Sequence, residues 1–267
     1  MAPYLVLFGR AFPTYSLLAL AGAAAAWGYF HWRLRRRGEN PGRTEQAFLW
    51  GVLGALVGAK LLYLLPQLPQ LPQLAADLPL LGQDPALFSA RYLTGGFVFY
   101  GGLLGALGAV GLFCRRRKLP FGPLGADLVP AVPLFHAFGR VGCFLAGCCY
   151  GIPAPAGWWG VTFSQALLAP NGVALVPVQL YEAAGCLLLF LLLDRLARRG
   201  WSGGQLLPVY LSLYGAFRFL LEFLRGDEAR GFWGPLSTSQ WVALATLAVA
   251  LPVLLWQQSK RNHQRQP

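Results

Sequence analysis

The chain has 267 residues, of which 56% are hydrophobic and 12% charged, and it carries a formal net charge of +12. A soluble domain of this size holds roughly 25% charged residues, so the deficit excludes an ordinary soluble fold and points to an integral membrane protein. The excess of Lys and Arg would suit nucleic acid, but the placement of the basic residues along the chain decides against that partner.

Crossing a hydrocarbon core of about 30 Å takes about 20 apolar residues. Runs of this kind predict spans near 13–32, 47–65, 92–114, 126–146, 179–194, 204–224 and 239–257. The first is followed by Arg33, Arg35, Arg36, Arg37 and Arg43. Its heavy positive charge thus comes after the apolar run, the reverse of a cleaved signal peptide. After the second span, PQLPQLPQL (66–74) repeats proline every third residue. Proline lacks the helical N–H, which predicts an extended or broken-helical arm outside the membrane, either a guide for a substrate or a spacer. Arg115, Arg116, Arg117 and Lys118 close the third span, Arg195, Arg198 and Arg199 the fifth, and Lys260, Arg261 and Arg265 the seventh.

All these clusters follow odd-numbered spans and so share one side. The positive-inside rule makes that side cytoplasmic and puts the N-terminus outside. The clusters are topology signals and contacts for anionic lipid. The expected architecture is an all-α integral membrane protein of about seven transmembrane helices forming a single domain over residues 1–267. Its C-terminus is cytoplasmic, no soluble domain is appended, and an arm (66–91) and a small head (147–178) lie on the outer side.

Arg10, Lys60, Arg91, Arg140, Arg218, Arg225 and Arg230 stand apart from these clusters. Ionisable groups in or near spans are costly and face a bundle interior or a cavity. Lys60 can snorkel, and Arg91 marks the outer interface. In YGAFRFLLEFLRGD (214–227), Tyr214, Arg218, Glu222 and Arg225 are spaced by four, four and three, which puts them on one face of a helix. That face is either an interhelical salt-bridge ladder or an anion site in which planar arginine forks meet phosphate oxygens. The sixth span runs outward, so this face and the outer end of the fourth span, carrying Arg140, meet at phospholipid headgroup depth. Glu182 in PVQLYEA (177–183) and Glu222 are the acidic partners at hand. In GRVGCFLAGCCYG (139–151) the glycines, Gly142 and Gly151 among them, permit close helix approach and then a turn out of the membrane.

Cys143, Cys148 and Cys149 form no C-x-x-C, and no histidine pair has zinc spacing. They are expected to pack a turn or to form one disulfide, with no metal. Cys114 and Cys186 lie singly in spans. His31 and His263 accompany cytoplasmic basic residues. His136, four residues before Arg140, is either a hydrogen-bonded core histidine or a participant in chemistry. Besides an enzyme acting on lipid, two other classes are open: a membrane thiol oxidoreductase using the three clustered cysteines, and a lipid transporter with intramembrane Arg and Glu as its path. The missing C-x-x-C counts against the first of these, and the lack of internal inverted repeats against the second.

The blocks at 139–151, 177–183 and 214–227, in this order, resemble the prolipoprotein diacylglyceryl transferase family. YGGLLGA (100–106), WGVTF (159–163) and Tyr15 fit the same pattern. The resemblance covers nearly the whole chain. It implies a seven-helix bacterial inner-membrane enzyme that moves diacylglyceryl from phosphatidylglycerol to the lipobox cysteine of a preprolipoprotein, releasing glycerol-1-phosphate. It carries over Tyr15, Gly101, Gly102, Arg140, Gly151, Tyr214, Arg218, Glu222 and Arg225 as site residues, and the segment between Gly151 and Gln179 as a periplasmic head. Two departures stand out: Tyr100 where the family's first motif often has histidine, and Cys143 and Cys148 where the signature often has asparagine and glutamate.

On this reading Arg140 and Arg218 clamp the phosphate, while Gly142, Gln179, Tyr181 and Glu182 help to bind substrate. Tyr100 and His136 are the side chains that could handle the proton. The favoured route uses neither as base: the paired arginines favour the thiolate, and Tyr100 holds a headgroup oxygen. No cofactor is expected. The partners are phosphatidylglycerol, lipobox signal peptides and the bilayer.

Overall fold

The computed structural model describes residues 3–39, 41–65, 72, 76–88, 99–227 and 231–263. Most of the PQLPQLPQL arm, residues 92–98 of the third predicted span, Arg91, Arg230 and Arg265 lie outside the described residues. The chain divides into two compact units, Met1–Gly38 with Gly122–Pro267, and Glu39–Phe121.

The first unit begins with an antiparallel hairpin, β1 (Tyr4–Leu7) and β2 (Arg10–Pro13), in register Leu5↔Phe12. Phe8 at φ 50° and Gly9 at φ 75° supply the two left-handed residues of a tight hairpin turn. The hairpin leads into α1 (Thr14–Arg36). The single fourth span expected over 126–146 is two helices here, α4 (Phe121–Leu128) and α5 (Ala131–Ala146). The break falls at Val129–Pro130, where proline offers no amide to continue the ladder. Next come a two-residue hairpin, β3 (Val161–Thr162) with β4 (Ala174–Leu175), then α6 (Val178–Arg198) and α7 (Gly203–Leu221). A second small hairpin, β5 (Phe232–Trp233) and β6 (Leu236–Ser237), precedes α8 (Thr238–His263).

Within this unit α1 packs on α5, α5 on α6, α6 on α7 and α7 on α8. Small residues allow the approach: a Cβ at Gly22 of α1 would stand 2.7 Å from the Phe138 Cβ of α5. One end of α1, α4 and α6 is tied by a buried ionic knot. Asp127, fully buried, accepts from Arg33 Nε at 2.9 Å and Arg37 Nη1 at 2.7 Å. Asp194 accepts from the Tyr29 hydroxyl at 2.9 Å and Arg198 Nε at 2.7 Å. Arg33, Arg37 and Arg198 therefore do more than mark topology: they neutralise two carboxylates that would otherwise be unpaired in a low-dielectric interior.

In the second unit, α2 (Pro41–Leu64) pairs with α3 (Phe99–Arg117), with two single helical turns, Leu80–Gln83 and Pro85–Phe88, between them in sequence. Gly54 and Gly58 of α2 face Gly101 and Gly105 of α3. A Cβ on Gly101 would lie 2.3 Å from the Gly58 carbonyl oxygen, and one on Gly105 would lie 2.1 Å from that of Gly54. This is the small-residue spacing that lets two helix backbones touch.

Where their residues are described, the predicted apolar runs fall mostly on helices. Among the described residues, length and composition alone qualify four helical segments to cross a membrane: Thr44–Leu64, Phe121–Ala146, Gly203–Leu224 and Thr238–Ser259. Helices α1, α3 and α6, of 23, 19 and 21 residues, have the length, but α1 and α3 end in arginines and α6 carries Glu182, Asp194 and Arg195.

Candidate active site

Three stretches far apart in sequence, 139–151, 177–183 and 214–227, meet in the first unit. Helix α5 ends in a left-handed cap at Gly147, φ 70°, with the Cys148 N–H donating to the Cys143 carbonyl at 3.0 Å. A Cβ at Gly147 would stand 2.4 Å from that of Ala166, so both conformation and space call for glycine here. Beyond the cap the chain is stitched on both sides. Ile152 N–H donates to the Leu224 carbonyl and Val176 N–H to that of Ile152, each at 2.9 Å, while Gly226 N–H donates to Tyr150 at 3.0 Å. Gly151 bridges Arg225, and a side chain there would meet the Val176 carbonyl at 2.2 Å.

This stitching corrects one expectation. Helix α7 stops at Leu221 and tightens into a 3-10 turn, Glu222–Leu224, after which Arg225 is extended (φ −82°, ψ 139°). Tyr214, Arg218 and Glu222 keep the helical face, but Arg225 leaves it. The strand-like pairing with Gly151 competes with another helical turn and wins. Arg225 instead holds Asp227, with Nε to Oδ1 at 2.8 Å.

One oxygen centres the site. Oε1 of Glu182 accepts from the Tyr214 hydroxyl at 2.9 Å and lies 3.1 Å from Arg140 Nη2. His136 Nε2 is 3.7 Å from it and Arg218 Nε 3.9 Å. Arg140 also donates from Nε to His136 Nε2 at 3.2 Å, so that lone pair of the imidazole is engaged. The Arg218 guanidinium binds Glu222 directly and reaches Ser239 Oγ on α8 at 3.3 Å. Glu182, Glu222, Arg218, Arg225, Tyr214 and His136 are all buried. Arginines and carboxylates balance, as a desolvated cluster requires.

Gln179, one turn before Glu182 and 1% exposed, donates from Nε2 to the Cys148 carbonyl at 2.8 Å, tying α6 to the cysteine loop. Gly142 gives its missing side chain to Tyr15, whose Cα a Cβ there would meet at 3.2 Å. Tyr181 packs with Val176, Val178 and Leu221, its ring 6.5 Å from that of Trp159. Tyr100, Gly101 and Gly102 occupy the first turn of α3 in the second unit, and the close approach of Gly101 to Gly58 gives that glycine a packing reason of its own. Ser239 and Asp227 escaped the sequence reading, since a serine in the first turn of a helix and an aspartate just past a helix end carry no signal of their own. All five cysteines are free thiols, with no disulfide at 143, 148 or 149.

Fold and site together define a helical membrane protein with a buried centre of arginine, carboxylate and tyrosine side chains. A family model described as prolipoprotein diacylglyceryl transferase matches residues 3–256. A phosphatidylglycerol–prolipoprotein diacylglyceryl transferase of Clostridium tetani (strain Massachusetts / E88) is 34% identical over 245 residues, 92% of this chain and 93% of the relative. A second, so named with the suffix 2, from Clostridium perfringens (strain 13 / Type A), is 32% identical over 90% of this chain and 89% of its own length. Another from Cupriavidus necator is 31% identical over 95% of this chain and 89% of its own length. The chain belongs to the prolipoprotein diacylglyceryl transferase family.

Proposed function

We propose that this protein transfers the diacylglyceryl group of phosphatidylglycerol to the lipobox cysteine of a preprolipoprotein. The product is a thioether, the leaving group is glycerol-1-phosphate, and the reaction is the first step of lipoprotein maturation. The observation that carries the site is the convergence of Arg140 and Arg218, from two helices, on one buried carboxylate oxygen at 3.1 and 3.9 Å. A guanidinium has five N–H donors, and the bonds described leave donors on Arg140 for phosphate oxygens.

In the reaction the acceptor sulfur attacks the glyceryl carbon esterified to phosphate. The S–C bond forms as the C–O bond breaks, and the electron pair leaves on the phosphate oxygen. Arg140 and Arg218 stabilise the charge gathering there, in a water-poor site where such contacts are strongest. Glu182, with Tyr214, holds Arg140 in place, and Glu222 and Ser239 hold Arg218. Tyr15, Gly142, Gly151, Gln179, Tyr181 and Arg225 shape the pocket.

The protein sits in the bacterial inner membrane as one polytopic domain of seven spans, N-terminus outside, with the head (147–178) and arm (66–91) on that side. Purified protein incubated with phosphatidylglycerol and a lipobox peptide should add one diacylglyceryl mass to the peptide cysteine. A peptide with serine in place of the cysteine should gain nothing.

A further inference from the structure

Cys143, Cys148 and Cys149 have no part in the mechanism above, yet the fold gathers them. Their Sγ atoms all lie within 4.8 Å of one another. Adjacent residues of an extended strand point to opposite sides, so Cys148 and Cys149 would not both face Cys143 without a special backbone. That backbone is present. Gly147 at φ 70° reverses the chain after α5, and Cys149 itself sits at φ 54°, where a residue with a Cβ is rarely found. The Cys148 N–H to Cys143 carbonyl bond (3.0 Å) and the Gln179 side chain on the Cys148 carbonyl (2.8 Å) hold the arrangement. The spacing C-x4-C-C contains no familiar metal motif, and only the two left-handed residues bring the sulfurs together.

Zinc-class ions bind thiolate at about 2.3 Å in tetrahedral sites, which separates the sulfurs by roughly 3.8 Å. Side-chain rotation covers the difference from 4.8 Å. Three protein ligands with a fourth position open is the ligand count of a catalytic metal site, where a structural site has four. A tris-thiolate site carries net negative charge, and two cations stand on the elements that hold it: Arg140, one turn before Cys143 on α5, and Arg225, paired with Gly151 two residues beyond Cys149. The cluster also adjoins the reacting region, since Cys143 is one turn beyond Arg140 on α5.

We propose that Cys143, Cys148 and Cys149 bind one thiophilic divalent ion of the zinc class, whose open position takes the acceptor thiol of the substrate. The inference rests on the transferase reading. A thiol loses its proton on coordination to such an ion, here to water, which answers the need for a thiolate with no side-chain base. The bound thiolate sulfur then attacks the glyceryl carbon, the C–O bond breaks toward phosphate, and the neutral thioether, a weaker ligand, leaves the metal.

The test uses the full-length protein in lipid nanodiscs, reduced, stripped with chelator and titrated with cobalt(II). One cobalt per chain should give thiolate-to-metal charge-transfer bands and intense tetrahedral ligand-field bands. The ligand-field bands should shift on adding a lipobox peptide but not its serine analogue. The triple variant Cys143→Ser, Cys148→Ser, Cys149→Ser should lose these bands, whereas Cys114→Ser and Cys186→Ser should keep them. Chelator should slow thioether formation at least tenfold, and zinc should restore it. Absence of thiolate bands in the reduced protein, their survival in the triple variant, or full turnover by metal-free protein would overturn the metal site and leave the transferase reading standing. Peptide-sensitive cobalt bands with no thioether product would do the reverse.

Discussion

Arg140 on α5 and Glu182 on α6 meet at 3.1 Å, Nη2 to Oε1, and the same oxygen accepts the Tyr214 hydroxyl of α7 at 2.9 Å. One carboxylate oxygen thus joins three helices. Removing one partner of a buried ion pair costs about 3–5 kcal/mol, because the remaining charge stays buried and unpaired. Glu182→Ala is therefore expected to lower the unfolding temperature far more than Tyr214→Phe, which gives up one hydrogen bond to a charged group, about 1.5–3 kcal/mol. Thermal unfolding of both variants in one detergent checks the order.

The arginines are expected to matter for turnover beyond stability. Arg140→Ala and Arg218→Ala should each lose roughly tenfold to a hundredfold in rate, the worth of charge-assisted bonds to a phosphate at about 1.5–3 kcal/mol. Lysine should rescue only partly, because a point charge replaces a planar fork. Unimpaired turnover in both alanine variants would reduce them to structural partners of Glu182 and Glu222.

Much of this centre was legible in the sequence because charges inside apolar runs stand out. Tyr214, Arg218 and Glu222 share a face by helical spacing alone, and Arg140 could be matched to them once the spans were oriented. The partners whose meaning is tertiary were not legible. Asp127 and Asp194 look like ordinary acids at span ends until α1 delivers Arg33 and Arg37 to them. Helical spacing also carried Arg225 one turn too far, because the pairing of Gly151 with Arg225 is a contact between residues 74 apart. The break at Val129–Pro130 had a local cause, but the apolar composition on both sides masked it.

Two glycines of one motif should behave differently. A Cβ on Gly101 would stand 2.3 Å from the Gly58 carbonyl, whereas one on Gly102 would stand 3.3 Å from that of Ala55. Gly101→Ala should disturb the α2–α3 pair, lowering the yield of folded protein, and Gly102→Ala should be tolerated far better. Expression with size-exclusion profiles in detergent reads the difference, and equal profiles would contradict the packing role of Gly101.

No side-chain base is required for the proton. Tyr100→Phe and His136→Gln should each keep turnover within about tenfold, since the proposed route asks neither to take the proton and the His136 Nε2 lone pair already accepts from Arg140. Steady-state rates at fixed lipid concentration check this. A folded His136→Gln protein a thousandfold slower would make the histidine the base.

The orientation has its own readout. Reporter fusions at residues 117 and 165 should report opposite compartments, with 117 inside, as the sorting of Arg115, Arg116, Arg117 and Lys118 requires. The same compartment at both positions would break the seven-span scheme.

The central claim, that diacylglyceryl moves from lipid to thiol, is tested most directly with phosphatidylglycerol labelled separately in its diacylglyceryl moiety and its headgroup glycerol. With purified protein and a lipobox peptide, the first label should become bound to the peptide cysteine through a thioether, and the second should appear in solution as glycerol phosphate in equal amount. Retention of both labels in the lipid, or transfer of the headgroup label to the peptide, would contradict the account.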